Sequence, residues 1–395
     1  MPSQQQFLIA GGGLGGLATA LGLARKGYSS TVLEQSSRFG EIGAGIQMAP
    51  NAFKTFDHLG VGDRARRGAV FVDEMVLMDA LSGERIAALS VGERFRKRFG
   101  NPYAVVHRAD LHASFVEACR DSKRVDLQVD SQVVRYTQTE DVVTAHLRDG
   151  RQVTGIALIG ADGLRSKVRQ QLVDDGEPLV SGHTTFRSVI PTEKMPDDLR
   201  WNAATLWAGP KCHLVHYPLK DGKVFNLVIT CHNDAKEAEN GKPVSRDEVR
   251  KHFMHVNARV RQLIDHGEDW KYWVLCDREP IQNWVEGRVA LLGDAAHPML
   301  QYYAQGACMA MEDAVFLSHA IEKHGDNIKQ ALIYYNRGRA VRTARVQMGS
   351  RLIGEYIYHP AGAKADVRNA TMSAMSEEEY FAEFAWLYDG QDLPA

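Results

Sequence analysis

The stretch Phe7-Leu8-Ile9-Ala10-Gly11-Gly12-Gly13-Leu14-Gly15-Gly16 decides the fold of this chain. Its apolar residues, 7–10, predict a buried strand, and the glycine run that follows fits the pattern G-x-G-x-x-G. Helix-forming residues continue over 17–26, and residues 31–34 have the composition of a second strand. This succession of strand, glycine turn, helix and strand is typical of the βαβ unit that binds dinucleotides.

Each glycine of the pattern has a physical task in such a unit. Gly11 permits the tight turn, Gly13 lets a pyrophosphate approach the backbone, and Gly16 allows the helix to pack closely on the strand. Glu34 ends the second strand about 20 residues further on, where a carboxylate can accept hydrogen bonds from a ribose and disfavours a 2'-phosphate. The pattern alone does not separate NAD from FAD, and a glycine turn without a ligand is the alternative.

Two further acidic residues follow buried strands. Asp162 comes directly after the predicted strand 156–161, and Asp294 comes after the predicted strand 288–292. Ligands of such folds lie at the carboxyl ends of the strands, where an Asp can accept hydrogen bonds from sugar hydroxyls. For either residue alone, an Asp that caps a turn is the ordinary interpretation.

Composition excludes several classes of protein. The chain has 47 Lys and Arg against 49 Asp and Glu, so it has no excess of basic charge to attract nucleic acid. The N-terminus lacks a signal-peptide pattern and no apolar run approaches about 18 residues, so we expect a cytoplasmic protein without an integral membrane segment. The five cysteines are odd in number and lack CxxC spacing, which argues against a disulfide framework and a metal site.

The order of these motifs resembles that of the group A flavoprotein aromatic hydroxylases. Gly11 to Gly16, Asp162-Gly163 and Gly293-Asp294 occur in the sequence and spacing of that family. The resemblance implies bound FAD, with NADH as a co-substrate that binds transiently, since no second dinucleotide pattern is present. The residues implied to contact or approach FAD are Gly11, Gly13, Gly16, Glu34, Gln47, Arg108, Asp162, Asp294, Pro298 and Gly306.

The helix predicted to begin at Gly306 has a physical reason to face the flavin. Reduced flavin carries negative charge, and a helix N-terminus offers unpaired N–H donors and a partial positive charge. An amphipathic core helix is the alternative, and the two are compatible.

The expected fold class is α/β, a Rossmann-like FAD-binding domain with an inserted β-sheet substrate domain and a helical C-terminal region. Strand-like segments become dense between about 182 and 231, while the pattern is helical from 306 onward and includes a long helix over 329–356. The expected division is 1–180 and 276–355 for the two parts of the FAD-binding domain, 181–275 for the substrate sheet, and 356–395 for a C-terminal helical segment.

Three segments resemble the branch of the family that acts on 3-hydroxybenzoate: residues 207–219, residues 277–284 and Leu300-Gln301-Tyr302. That resemblance implies that His213, Tyr217 and Gln301 line the substrate pocket. Strand alternation agrees, because residues 213 and 217 share one face about 13 Å apart, whereas His216 points to the other face and is interpreted as structural. A lone strand histidine is otherwise more often a structural group.

The expected reaction is hydroxylation of this aromatic acid para to its hydroxyl, giving gentisate, with NADH and O2. His213 is the expected proton acceptor, Gln301 orients the hydroxyl and Tyr217 donates to the carboxylate, while no pocket arginine can be assigned from the sequence. A salicylate or other hydroxybenzoate hydroxylase is the alternative within the family. A non-hydroxylating FAD reductase or oxidase and a flavin-binding sensor are alternatives outside it. We expect a homodimer, and the choice between NADH and NADPH stays open.

Overall fold

A computed structural model describes residues 6–40 and 45–390 of the chain, so the outer ends of the predicted segments 1–180 and 356–395 lie outside the described residues. The strands are β1 (Gln6–Ala10), β2 (Ser29–Leu33), β3 (Gly45–Met48), β4 (Ala69–Phe71), β5 (Glu74–Asp79), β6 (Arg85–Ser90), β7 (Ala104–His107), β8 (Val125–Gln128), β9 (Val133–Gln138), β10 (Val143–Leu147), β11 (Gln152–Gly155), β12 (Ala157–Gly160), β13 (Leu179–Pro191), β14 (Ala203–Gly209), β15 (Cys212–Leu219), β16 (Val224–His232), β17 (Asn240–Pro243), β18 (Glu268–Asp277), β19 (Val285–Glu286) and β20 (Val289–Leu291).

The helices are α1 (Leu14–Arg25), α2 (Pro50–Leu59), α3 (Gly62–Arg67), α4 (Glu93–Phe99), α5 (Arg108–Asp121), α6 (Lys167–Leu172), α7 (Arg246–Lys251), α8 (Ala258–His266), α9 (Gly306–His324), α10 (Ile328–Ile353), α11 (Ala363–Ala374) and α12 (Glu377–Tyr388). Among the described residues, no helix is long and apolar enough to span a lipid bilayer.

A six-stranded sheet forms the first layer, in the order β19-β20-β12-β1-β2-β8. All neighbours are parallel except β19 and β20. The central strand β1 is almost wholly apolar because both faces of a parallel sheet are covered, and Phe7, Leu8 and Ile9 have no exposed surface. Helix α1 begins at Leu14, three residues before the predicted start, because Gly13 already serves as its N-cap.

An eight-stranded sheet forms the second layer, in the order β17-β18-β13-β16-β15-β14-β5-β6. Strand β5 joins it by parallel pairing with β14, from Ala203 opposite Glu74 to Ala208 opposite Asp79. The sheet therefore takes two strands from the predicted 1–180 segment, so the predicted boundary at 181 does not separate the two sheets. The reason is that pairing between distant strands leaves no local sequence signal.

The two faces of the eight-stranded sheet have different neighbours. One face packs on α7 and α8 in a core that includes Trp207, Leu214, Phe253 and Leu263. The other face of β15 turns toward the first layer, so that alternate residues of one strand serve two different environments.

The C-terminal region covers the junction between the layers. Helix α10 runs to Ile353 and continues as a single π-helical turn, Gly354–Tyr358, so the predicted long helix is confirmed over most of its length. Phe381 and Tyr388 of α12 pack edge-on against Phe95 and Phe99 of α4. The predicted fold class, α/β with an added β-sheet and a helical C-terminal region, is confirmed.

Candidate active site

A cavity of about 760 Å³ lies between the carboxyl ends of the first-layer strands and the inner face of the second layer. Its size and its position at the strand ends are typical of ligand sites in open α/β sheets. The predicted residues that line it are Gly11, Gly13, Glu34, Gln47, Arg108, Asp162, His213, Tyr217, Asp294, Gln301 and Gly306.

Two predicted residues lie behind the cavity wall. A Cβ on Gly16 would lie 2.0 Å from the carbonyl oxygen of Gly11, so Gly16 is required by the packing of α1 on the turn. Pro298 is buried, and its carbonyl accepts a hydrogen bond of 2.9 Å from Nε2 of Gln347. Both residues therefore shape the wall without facing the cavity.

The glycine turn contains one glycine that packing requires, Gly11, and one that faces empty space, Gly13. Gly11 has a φ of +107°, and a Cβ there would lie 2.3 Å from the carbonyl oxygen of Ala161. At Gly13, by contrast, nothing lies within 4 Å of the Cβ position. Because Gly13 is also the N-cap of α1, this open space lies against the N–H groups of the helix terminus, which suit a phosphate.

The carboxylate of Glu34 is used by the turn itself. It accepts hydrogen bonds from the backbone N–H of Gly12 (2.7 Å) and of Ser36 (2.9 Å). Glu34 therefore fixes the glycine turn at the edge of the cavity, where it also presents surface to a ligand.

The two acidic residues at the strand ends differ in their partners. The Asp162 carboxylate accepts hydrogen bonds from Ser166 and from the backbone N–H of Lys167 (2.7 Å) and Val168 (3.2 Å), and it thereby caps α6. Burial raises the pKa of Asp162, although these hydrogen bonds oppose that shift. Asp294 is exposed to the cavity and makes no hydrogen bond with any described residue. Asp294 is therefore the carboxylate that remains available to a ligand.

A buried ion network holds the turn that presents Asp294. One oxygen of Asp313 accepts hydrogen bonds from the backbone N–H of Gly293 (3.2 Å) and from Nε2 of His297 (2.5 Å), and the other accepts one from Arg339 (2.8 Å). Burial alone would raise the pKa of Asp313, but His297 and Arg339 hold it below its ordinary value. This network fixes the 3₁₀ turn Gly293–Ala295 beside the N-terminus of α9.

Gln47 and Arg108 also line the cavity. Gln47 lies on β3, where its side-chain oxygen accepts a hydrogen bond from the hydroxyl of Tyr103. Arg108 is the first residue of α5 and faces the cavity. The open space at Gly13, the start of α9 and the Asp294 carboxylate, which has no partner among the described residues, offer the space, donors and acceptors that a dinucleotide requires.

Strand β15 presents the predicted substrate residues. His213, Val215 and Tyr217 line the cavity, whereas Cys212 and Leu214 are in the core on the opposite face, as alternation predicts. His216 does not line the cavity. Its Nδ1 accepts a hydrogen bond of 3.2 Å from the indole N–H of Trp207. His216 thus faces away from the cavity, as strand alternation predicts.

The His213 ring has one engaged nitrogen and one unengaged nitrogen. Its Nδ1 lies 2.8 Å from Nε2 of His359, while its Nε2 is buried and has no partner among the described residues. Burial, followed by the neighbouring His359 and His183, lowers the pKa of His213 well below its ordinary value. A neutral imidazole with a free nitrogen can accept a proton from a bound ligand.

Gln301 lies over the strands next to His213. Its Nε2 donates to the hydroxyls of Thr230 (3.0 Å) and Thr185 (3.2 Å), and Thr230 is directly opposite His213 across the β15–β16 pair. The two threonines therefore fix the amide beside the imidazole. Its oxygen points toward Arg187.

Arg187 on β13 also lines the cavity, although the sequence did not predict it. Its guanidinium lies 3.5 Å from the Gln301 oxygen and stacks over Trp273 at 5.4 Å, and its Nε is buried without a partner. No carboxylate of the described residues forms an ion pair with it. A cation at the centre of the predicted strand 184–190, among apolar and hydroxyl side chains, was the available signal.

Arg187 also influences Tyr217. Burial raises the pKa of the Tyr217 hydroxyl, and the Arg187 cation opposes that shift. The two side chains thus lie near each other, and the pair can donate hydrogen bonds to an anion between them.

Comparisons with known proteins place this geometry in a family. A family model described as "FAD binding domain" matches residues 4–350. The chain is 54% identical over 382 residues to a 3-hydroxybenzoate 6-hydroxylase of Aquipseudomonas alcaligenes, with 97% of each chain covered. It is 47% identical to a 3-hydroxybenzoate 6-hydroxylase of Polaromonas naphthalenivorans, covering 98% of this chain and 96% of the relative. Among solved structures, HpxO of Klebsiella pneumoniae complexed with FAD and uric acid is 26% identical, with a TM-score of 0.87 and coverage of 100% of this chain and 98% of that one.

Proposed function

This chain belongs to the FAD-binding domain family of flavoprotein aromatic hydroxylases, and from that premise we propose that it hydroxylates 3-hydroxybenzoate para to the hydroxyl, giving gentisate, with NADH and O2 as co-substrates. The two relatives named above, which the chain matches almost end to end, support the substrate and the position of attack.

One observation of the structure carries the proposal. Among the described residues, the cavity contains an imidazole nitrogen without a partner, on His213, and a guanidinium without a carboxylate partner, on Arg187. A hydroxybenzoate offers a phenol proton to the first group and a carboxylate to the second. A cation in a cavity of this kind is costly unless a ligand supplies the opposite charge.

FAD is the cofactor of the proposed reaction, and Gly13, Asp294 and the N-terminus of α9 are the residues that would hold it. When bound, FAD supplies the acceptance of a hydride from NADH and the activation of O2. The protein's own contribution is to orient the ring, to remove the phenol proton and to keep water out. Val215, Val228, Met299 and Leu300 supply apolar surface for the last of these tasks.

We assign the substrate contacts as follows. His213 Nε2 accepts the phenol proton, which raises the electron density of the ring carbons ortho and para to the oxygen. Gln301 lies beside the hydroxyl, and Arg187 with Tyr217 binds the carboxylate by charge-assisted hydrogen bonds. Anchoring at both ends lets the ring present a single edge to the oxygen donor, which is the basis of para selectivity.

A salicylate hydroxylase is the alternative within the family. Salicylate has its hydroxyl directly beside its carboxylate, so it cannot reach both His213 and the Arg187–Tyr217 pair at once. We therefore propose that salicylate binds loosely or stimulates NADH oxidation without efficient product formation.

Product analysis tests the proposal. The FAD-loaded protein is supplied with NADH and air, with 3-hydroxybenzoate in one reaction and salicylate in another, and the products are separated by chromatography. Gentisate from the first reaction is expected. Catechol formed faster from salicylate would replace the substrate assignment, and NADH oxidation without any oxygenated product would favour a reductase or oxidase. The proposal includes a homodimer, which light scattering of the purified protein measures directly.

A further inference from the structure

The base proposed for the phenol proton has a second imidazole directly behind it. His213 is 1% exposed, and its Nδ1 lies 2.8 Å from Nε2 of His359, with the two rings stacked at 5.0 Å. His359 follows the π-helical turn Gly354–Tyr358, lies outside the cavity wall and has part of its surface accessible to solvent. The pair therefore connects a buried nitrogen in the cavity to the protein surface.

None of the described residues places an anion against His359 that would keep a proton there. The rings of His183 and Tyr302 lie 5.3 and 5.5 Å from it, and Nδ1 of His183 is hydrogen-bonded to the Tyr302 hydroxyl. His232 packs on His183 at 4.2 Å, and its Nε2 is 3.8 Å from the exposed carboxylate of Asp234. Burial, then His183 and His232, lowers the pKa of His359 to about 3.

The proposed reaction requires a route by which the phenol proton leaves His213. If His213 kept the phenol proton, it would become a cation in the same enclosed cavity as Arg187, and burial already makes that charged form unfavourable. A hydrogen-bonded neighbour that reaches solvent removes this difficulty, because the proton can leave the cavity while His213 returns to the neutral state.

We propose that His359 is a proton-relay residue, which acts through His213 to carry the substrate's phenol proton to solvent. The inference rests on the proposed function, since it requires a phenolic substrate. It gives His359, which lies outside the cavity wall, a role in positioning His213 and in transferring its proton.

The transfer balances as follows. Before the step, the imidazole proton of His213 is on Nδ1, and this N–H donates a hydrogen bond to Nε2 of His359. The proton of His359 is on its Nδ1. The phenol O–H bond breaks and Nε2 of His213 gains that proton, the Nδ1 proton of His213 passes to Nε2 of His359, and His359 releases its Nδ1 proton to water. The substrate is left as a phenolate. Reprotonation of the product by the reverse path restores both tautomers.

His359→Gln tests the relay with little change of shape. A glutamine amide can accept the hydrogen bond from His213 Nδ1 but cannot take up its proton. The probe is 3-hydroxybenzoate mixed rapidly with oxidised holoenzyme, with phenolate absorbance and a pH-indicator dye recorded together. We expect the variant to ionise the bound phenol and release the proton about 10- to 100-fold more slowly than the native protein, with substrate affinity within about threefold.

Two comparisons separate a relay from a structural role. A ring-nitrated 3-hydroxybenzoate, which is already ionised in solution at pH 8, needs no relay and should bind to His359→Gln as fast as to the native protein. His232→Gln removes a nearby imidazole that does not contact His213, and it should leave proton release unchanged.

The outcomes are distinct. Unchanged proton release in His359→Gln, or an equal loss in His359→Gln and His232→Gln, would overturn the relay while leaving the substrate assignment intact. Failure of the native protein to bind 3-hydroxybenzoate would overturn the proposed function and the relay with it. If His359→Gln does not fold, His359→Ala with added imidazole replaces it, and rescue of proton release by imidazole supports the relay whereas its absence opposes it.

Discussion

The guanidinium of Arg187 lies 3.5 Å from the side-chain oxygen of Gln301, so the cation and the amide form one continuous polar surface in the cavity. Gln301 is in turn fixed by Thr185 and Thr230, the second of which is opposite His213. The Gln301 side chain therefore contacts Arg187 through its oxygen and, through its nitrogen, the strand that pairs with β15 at His213. This arrangement suits a ring with its two polar groups on non-adjacent carbons.

Arg187→Met should weaken binding of 3-hydroxybenzoate about 10- to 100-fold, because it removes a charge-assisted contact while keeping an unbranched side chain. The uncharged analogue 3-hydroxybenzamide is the matched control, and its KM should change much less. Steady-state kinetics with both compounds measure the difference. Equal losses for acid and amide would show that Arg187 supports the fold of the cavity rather than the carboxylate.

His213→Ala should lower the rate of hydroxylation by about 10² to 10⁴ if the residue is the general base. NADH oxidation should continue, since flavin reduction does not use the phenol proton, and hydrogen peroxide should form in place of product. Product and peroxide are assayed in the same reaction. A coupled rate equal to that of the native protein would return His213 to a structural role.

Asp294→Ala and Asp162→Ala should affect different properties, FAD retention and the stability of the fold. Asp294 has no partner among the described residues, so its loss should weaken FAD retention with little change in the stability of the apoprotein. Asp162 caps α6, so its loss should lower the free energy of unfolding by about 1 to 2 kcal/mol. Flavin absorbance after gel filtration and denaturant titration of the apoprotein measure the two quantities. Full FAD occupancy in Asp294→Ala would remove Asp294 from the site.

Acid should begin to destabilise the protein at pH values higher than those at which carboxylates titrate. Burial lowers the pKa of His183 and His216 to about 4, from the ordinary 6.5 that these groups regain on unfolding. The unfolded chain thus binds more protons between these values, so this stability is complete above pH 6.5 and is lost as the pH falls toward 4. Denaturant titration at pH 7 and pH 5 should show the loss, and His216→Gln should make it smaller. The same loss in native and variant proteins would contradict the assignment.

The features that could be predicted from the sequence are local ones. The strand before Gly11, the glycine turn and the face shared by His213 and Tyr217 follow from side-chain periodicity over a few residues. The sequence predicts the helix from residue 17, whereas α1 begins at Leu14, because the glycine pattern conceals that Leu14 already has helical geometry.

The features that could not be predicted depend on distant pairing. Residues 213 and 359 are 146 positions apart, and their contact exists because the start of β15 meets the chain that follows the π-helical turn after α10. Arg187 enters the cavity because β13 is two strands away from β15 in the sheet order. No periodicity within one segment specifies which strands become neighbours.

The order of strands in the first layer also determines when this protein can fold during its synthesis. Strand β1 requires β12 as its neighbour, and β12 requires β20, which ends at Leu291. During translation, the glycine turn is therefore synthesised long before the sheet that supports it can form. Its apolar strands stay unpaired until β12 and β20 have been synthesised. Such long-range pairing makes folding slow and leaves hydrophobic surface open to chaperones and to aggregation. The cofactor site is consequently assembled only after about three quarters of the chain has emerged.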